Sequence, residues 1–356
     1  NYRVHAEAKM ISFRDDVSPG GLHLDSFSPH MFVDDLRAAD IPIYSYSGWF
    51  DGGYPHAAIK RFLTLRTRGA KLILGPWDHG GDDHMRPFAK PIKACFDHLA
   101  EGRRFFDRHL KGVDTGVDRE PPVAYYTMVA DQWHQSQTWP PAEAKNATFY
   151  ATENHALARA LPTDAVGADE YRVDPTAGTG DRARWNSLAL DLAVYYPDRA
   201  KADHKLLVYD SPPLDEDTEV TGHPLVTLYV ASTATDGQFF AYLEDVDERG
   251  RVNYVTEGML RALHRRLSTE TPTTVSPAPY RTFLKKDAQP LTPGETAELV
   301  FDLLPVSYLF KQGHRIRLAL AGADADHFQV LPGDAPTWQV QRNERFATRI
   351  ELPIVK

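Results

Sequence analysis

The sequence predicts a two-part chain: an α/β segment with parallel strands up to about residue 120, then an all-β sandwich to the C-terminus. Two observations carry this. Up to Gly112, apolar strand patterns and amphipathic helix patterns alternate with short connections, as in parallel strands joined by right-handed crossovers. Beyond Asp118-Arg119-Glu120-Pro121-Pro122, helical periodicity gives way to period-two alternation broken by Pro, Gly and Asp turns, as in a β-sandwich.

Residues 28–39 predict a helix, with Ser28 placed to cap and Pro29 at the first helical position. Residues 41–47 read as a short buried strand. Pro55 opens a second helix, with Ile59, Phe62 and Leu63 at i, i+3, i+4. Residues 70–75 are a second strand. A third helix is expected from about Pro91 to Leu110, its apolar stripe made of Ile92, Cys95, Phe96, Leu99 and Phe106, with Gly112 as its stop. That stripe makes Cys95 an inert core thiol. In the second part, Leu299, Phe301 and Leu303 share one face, as do Ile316, Leu318 and Leu320, and Phe346, Ile350, Leu352 and Ile354. Further strands are expected at 122–130, 147–152, 205–210, 224–232, 237–246 and 252–263. Residues 153–205 are turn-rich and carry no clear period, and 268–280 read as a long loop. The division expected is therefore 28–120 for the α/β part and 121–356 for the sandwich.

The chain has 356 residues, 42% hydrophobic and 25% charged, with a net charge of −9. This is a globular composition. The acidic balance argues against nucleic acid or an anionic membrane surface as partner, since both call for surplus Lys and Arg. No apolar run is long enough to span a bilayer. A single cysteine rules out an intrachain disulfide and leaves the compartment open. The opening Asn1-Tyr2-Arg3-Val4 has neither Met nor a leader pattern, so the chain is expected to be the later part of a longer protein.

The chemistry gathers where the first two strands end. One runs into Ser47-Gly48-Trp49-Phe50-Asp51-Gly52-Gly53, the next into Gly75-Pro76-Trp77-Asp78-His79-Gly80-Gly81. In a parallel sheet both ends lie on the carboxyl edge, where α/β proteins place their sites. Neighbouring strands are about 4.8 Å apart, so Asp51 can reach the Nδ1–H of His79. That pair is the orienting half of a Ser-His-Asp triad. Asp before His, after late strands of the sheet, is the α/β-hydrolase order, in which the serine comes earlier still. Taken singly, Asp51 is an ordinary Asp-Gly turn former and His79 a loop histidine; the pairing of positions raises the catalytic reading. Trp49, Phe50, Tyr54 and Trp77 flank the two loops and either line a substrate pocket or pack beneath them. Asp82, Asp83 and His84 beside His79 lack regular ligand spacing, so no metal is expected.

The GWFDGG and LILGPWDHGG segments resemble the paired motifs of the cocaine-esterase and X-Pro dipeptidyl-peptidase family, which includes α-amino acid ester hydrolases. The resemblance extends through 105–139, 206–260 and 302–328. It implies that Asp51 is the triad acid and His79 the base, that residues 121–356 are a jelly roll, and that residues 1–27 are the tail of a helical cap. The family's nucleophile sits in a G-x-S-x-G elbow, and the chain contains none. The nucleophile is thus expected from an N-terminal segment of the same enzyme, and the chain alone is expected to be inactive. The implied substrates are small esters, amides or short peptides, with no cofactor, and a homo-oligomer is one expected form. The alternatives are an X-Pro aminopeptidase or α-amino acid ester hydrolase, and, from another class, a non-catalytic sandwich that binds a partner.

Overall fold

The computed structural model describes residues 12–18, 20–186 and 193–356. The expectation for residues 1–27 therefore lies in part outside the described residues. In chain order the strands are β1 Tyr44–Gly48, β2 Lys71–Gly75, β3 Asp83–His84, β4 Ile92–Lys93, β5 Val123–Thr127, β6 Gln132–Ser136, β7 Lys145–Thr152, β8 Ala156–Ala158, β9 Ala168–Arg172, β10 Leu207–Asp210, β11 Thr218–Gly222, β12 Leu225–Ser232, β13 Gln238–Val246, β14 Val252–Arg261, β15 Thr296–Asp302, β16 Val306–Phe310, β17 Arg315–Ala321, β18 Thr337–Gln341 and β19 Arg349–Val355. The α-helices described are Val33–Ala39, Tyr54–Leu65 and His98–Lys111.

The first sheet has the order β1-β2-β5-β6. β1 and β2 run parallel with Gly48 opposite Gly75, and β2 and β5 run parallel. Helix Tyr54–Leu65 is the crossover between β1 and β2. Pro55 sits in its first turn, and Ile59 and Leu63 point one face inward at 0% and 6% exposure. It stops at Arg66, whose left-handed backbone directs its N–H to Phe62 O. Helix His98–Lys111 is capped by Asp97, whose side chain accepts from Ala100 N at 2.8 Å, and stops at Gly112 with φ 71°.

Four expectations are corrected here. The third helix begins at His98, not near Pro91, because the Asp97 cap fixes its start while Ile92–Lys93 pair with Asp83–His84 as β4 and β3. Its buried side chain is Phe105, whereas Leu99 and Phe106 are exposed and so is Cys95. Cys95 is therefore no core residue. The first helix is shorter than 28–39: a 3₁₀ turn at Pro29–Phe32 precedes the α-helix Val33–Ala39, and Ser28 turns its hydroxyl back to Leu24 O. Finally, the strand expected at 122–130 does not open the sandwich. β5 pairs in parallel with β2 and extends the first sheet, with β6 antiparallel on its outer side.

The remaining strands form a thirteen-stranded sheet whose main path is β14-β13-β17-β10-β8-β7-β19-β12-β18-β9. The path folds over on itself. Phe239 of β13 stacks on Trp338 of β18 with ring centroids 4.3 Å apart, although these strands lie far apart in hydrogen-bonding order. Both rings are nearly fully buried, and such a side chain contributes about 2–3 kcal/mol of burial free energy. The alternation read from sequence holds at Leu299, Leu303, Ile316, Leu318, Ile350 and Leu352, all at 0% exposure, but Ala319 is buried as well, Phe346 precedes β19, and Phe346 and Ile354 are only partly buried. The two parts are joined closely. Met128 exchanges backbone hydrogen bonds with Ser307 and Leu309, and the loop around 275 reaches helix Tyr54–Leu65 through Val275 N and Thr64 Oγ1 at 2.9 Å.

Candidate functional site

The carboxyl ends of β1 and β2 are held together by backbone as well as by register. Trp49 N donates to Gly75 O at 2.9 Å and Phe50 N to Trp77 O at 3.0 Å. Two glycines permit this approach. A Cβ on Gly48 would sit 2.1 Å from Trp77 O, and one on Gly75 would sit 2.3 Å from the Trp77 ring. The chain then turns at Gly52, with φ 47°, into helix Tyr54–Leu65. On the neighbouring loop Gly80 and Gly81 both take positive φ.

This geometry puts His79 Nδ1 2.7 Å from Asp51 Oδ1. The second oxygen, Oδ2, accepts from Ser47 Oγ at 3.0 Å. Asp51 is thus partly covered, its side chain 14% exposed, while His79 is 47% exposed. Tyr54 lies nearly parallel to the imidazole, 5.7 Å away. Among the described residues, no hydrogen bond occupies His79 Nε2, the nitrogen that faces a nucleophile in a triad. An imidazole oriented by a carboxylate at Nδ1, with its other nitrogen accessible, can take and return a proton.

The flanking aromatics divide. Trp49 and Trp77 are 2% exposed and pack beneath the loops, so a pocket-lining role for them is corrected. Trp49 donates its indole N–H to Tyr126 O at 2.7 Å, and Trp77 is enclosed by Tyr46, Phe96, His98 and Trp133. Phe50 is buried against Tyr196 and Tyr254. Tyr54 alone of the four is exposed.

Sequence reasoning missed two groups that touch the Asp51 loop. Ser47 was legible only as a residue at a strand end. Arg184 donates to the carbonyls of Gly52 and Trp49 from a turn-rich stretch without any local signal.

Asp78, next to His79, is buried, and burial pushes its carboxyl up to about 6. Its Oδ2 accepts from Val194 N at 3.2 Å, whereas among the described residues Oδ1 has no hydrogen-bond partner. The unfolded chain titrates it near the usual 3.8. The folded state therefore holds its proton more tightly. The associated stability is fully present below the unfolded value and is lost as pH rises through the folded one. Asp78→Asn, which can still accept from Val194, is expected to raise stability above pH 6 by about 1–3 kcal/mol and to change little at pH 4. Thermal unfolding at pH 4 and pH 8 checks this; equal shifts at both would refute the burial cost.

The acidic and histidine residues beside His79 do not converge on a metal site. Asp83 pairs with Lys93, and the His84 ring packs on Tyr126. Among the described residues, His56, His223 and Asp302 alone offer three ligand atoms within reach of one another. The fit is poor. Trp139 Nε1 can only donate, and it donates to His223 Nε2 at 3.1 Å. The neutral ring then carries its proton on Nδ1, the nitrogen facing Asp302, where a metal needs a lone pair.

The chain is similar to known proteins over most of its length. Residues 11–81 match the X-Pro dipeptidyl-peptidase (S15 family), and residues 115–348 match the X-Pro dipeptidyl-peptidase C-terminal non-catalytic domain. A putative serine esterase of Mycobacterium bovis is 52% identical over 100% of this chain and 60% of its own length. The cocaine esterase of a Rhodococcus species is 28% identical over 88% of this chain and 56% of its own. A putative Xaa-Pro dipeptidyl-peptidase of Streptomyces avermitilis is 27% identical over 71% and 39%. The chain thus spans at most 60% of the length of these relatives. Among solved structures, an aminopeptidase from a marine-sediment thaumarchaeote shares the fold with TM-score 0.70 at 22% identity, covering 88% of this chain and 55% of its own. An α-amino acid ester hydrolase does so with TM-score 0.68 at 21% identity, covering 90% and 57%.

Proposed function

This chain belongs to the X-Pro dipeptidyl-peptidase (S15) family, and we propose that it carries the acid and the base of a serine hydrolase that cleaves acyl bonds. The observation that carries the reading is the 2.7 Å contact between His79 Nδ1 and Asp51 Oδ1 on a half-exposed imidazole. A serine hydroxyl from a segment outside this chain attacks the substrate carbonyl. His79 Nε2 takes the hydroxyl proton and passes it to the leaving oxygen or nitrogen. Asp51 holds the Nδ1–H and the positive charge that forms on the ring. Water deprotonated by His79 then attacks the acyl-enzyme, and His79 returns that proton to the serine oxygen as the acyl group leaves as the acid.

Two surfaces support a partner segment that brings the nucleophile. Among the described residues β1 pairs with β2 alone, so its other edge is open. Leu99, Phe106 and Leu110, on one face of helix His98–Lys111, are 87%, 56% and 77% exposed, an apolar stripe that suits burial by further chain. The finer descriptions, a jelly roll for the β part and a cap tail for residues 1–27, belong to the same reading.

Esters are the first substrate class, because the relative at 52% identity bears an esterase name. Xaa-Pro peptides are the second, favoured by the S15 match. In the whole protein, a fluorophosphonate probe is expected to label one serine outside these 356 residues and to abolish hydrolysis of p-nitrophenyl esters. Faster release from Xaa-Pro-p-nitroanilides than from the esters would select the second class. Labelling of a serine within this chain, or no hydrolysis of either substrate, would overturn the reading.

A further inference from the structure

We propose that Arg184, from the β-rich part of the chain, is a positioning residue that sets the loop carrying Asp51 and through it the orientation of His79. The inference rests on the triad reading above, since it assigns a role only if Asp51 is the acid. Arg184 is 0% exposed. Its Nε donates to Gly52 O at 3.0 Å, and Nη2 donates to Trp49 O. These carbonyls belong to residues on either side of the Phe50-Asp51 step, so one rigid guanidinium spans the turn that presents the carboxylate. A planar fork with fixed donor directions can hold two carbonyls in one relative position; an ammonium cannot.

The guanidinium is itself anchored. Nη1 donates to Tyr254 Oη at 3.2 Å, and the Arg184 backbone N–H donates to Tyr196 Oη at 2.9 Å. Tyr196 and Tyr254 stack with centroids 3.8 Å apart, and Phe50 packs against both. Behind them, Glu257 Oε1 accepts from Tyr254 Oη and from Trp185 Nε1, each at 3.0 Å. Tyr254 and Glu257 both lie on β14, a largely buried strand at the end of the main path of the large sheet. The acid loop therefore rests on a buried hydrogen-bonded platform in the second part of the chain. A buried guanidinium is costly unless its donors are filled, and here the acid loop fills two of them. The sequence gap between Arg184 and Gly52, 132 positions, makes the contact purely tertiary.

A misplacement of about 1 Å in a catalytic group can cost on the order of 10²-fold in rate. In the whole protein, Arg184→Met is expected to lower kcat about 10- to 100-fold with KM held within about twofold. Arg184→Lys, which fills one carbonyl, should fall between wild type and Arg184→Met. Because the effect runs through Asp51, Arg184→Met should add no further loss to Asp51→Asn. Wild-type kcat in Arg184→Met, or an undiminished extra loss on top of Asp51→Asn, overturns the proposal while Asp51→Asn alone still tests the triad. If Asp51→Asn retains wild-type turnover, the triad reading fails and the positioning role falls with it. Should Arg184→Met lack a cooperative unfolding transition, Arg184→Lys carries the test: reduced kcat at constant KM supports the role, and unchanged kcat refutes it.

Discussion

His79→Ala, in the whole protein, is expected to lower kcat by on the order of 10⁴- to 10⁶-fold while leaving the fold intact. The size follows from the position of the ring. In the proposed mechanism His79 moves every proton that the reaction moves, first from the serine, then to the leaving group, then from water and last back to the serine oxygen. Nothing described nearby can replace it, since Asp78 is buried and turned to Val194 N, and the Oδ2 of Asp51 is taken by Ser47. The fold is spared because the His79 side chain is 47% exposed, and its main contacts are one hydrogen bond and the face of Tyr54. Water can fill the place of Nδ1 beside Asp51. The measurement is kcat on a p-nitrophenyl ester together with the unfolding midpoint. Turnover within tenfold of wild type removes His79 from the mechanism. A large drop in the midpoint with little change in kcat would instead make the ring a structural part of the loop.

How far such a site is legible depends on whether its parts carry local signals. Asp51 and His79 could be paired from sequence because each follows closely on a strand that ends at a glycine. Gly48 and Gly75 then fall opposite each other in parallel register, as the ladder has them. The same glycines hide the fate of the tryptophans. Trp49 follows Gly48 directly and Trp77 follows Gly75 after Pro76, and both rings are buried beneath the loops; adjacency to a catalytic residue says nothing of direction. The third helix was misplaced because Ile92, Cys95 and Phe96 continue the helical spacing backwards, while the Asp97 cap and the pairing of β3 with β4 decide otherwise. β5 shows the limit of period-two alternation, which marks a strand and its buried face but not the sheet it joins. Arg184 had no signal. It lies in a stretch without a clear period in the sequence, and its role is carried by contacts to residues far away in the chain, among them 49, 52 and 254.

Asp51→Asn isolates the carboxylate's charge from its shape, and the expected loss in kcat is on the order of 10⁴-fold. The substituted amide matches the carboxylate in volume, so the turn at Gly52 and the hold of Arg184 on its carbonyls are undisturbed. Ser47 makes the exchange tolerable. Its hydroxyl now donates to Oδ2, and it can turn to accept from an amide nitrogen placed there, or keep donating to an amide oxygen. Either orientation of the asparagine thus satisfies Ser47, and stability is expected to stay within about 1 kcal/mol of wild type. The two orientations differ at His79. With the amide oxygen toward Nδ1, the ring keeps the right tautomer but loses the negative charge that stabilises the imidazolium. With the amide nitrogen toward Nδ1, that nitrogen must accept, the proton moves to Nε2, and the base is lost. Both routes lower kcat, and neither touches substrate binding, so KM should hold. A kcat within tenfold of wild type would mean that the 2.7 Å contact between His79 and Asp51 orients a loop and not a base.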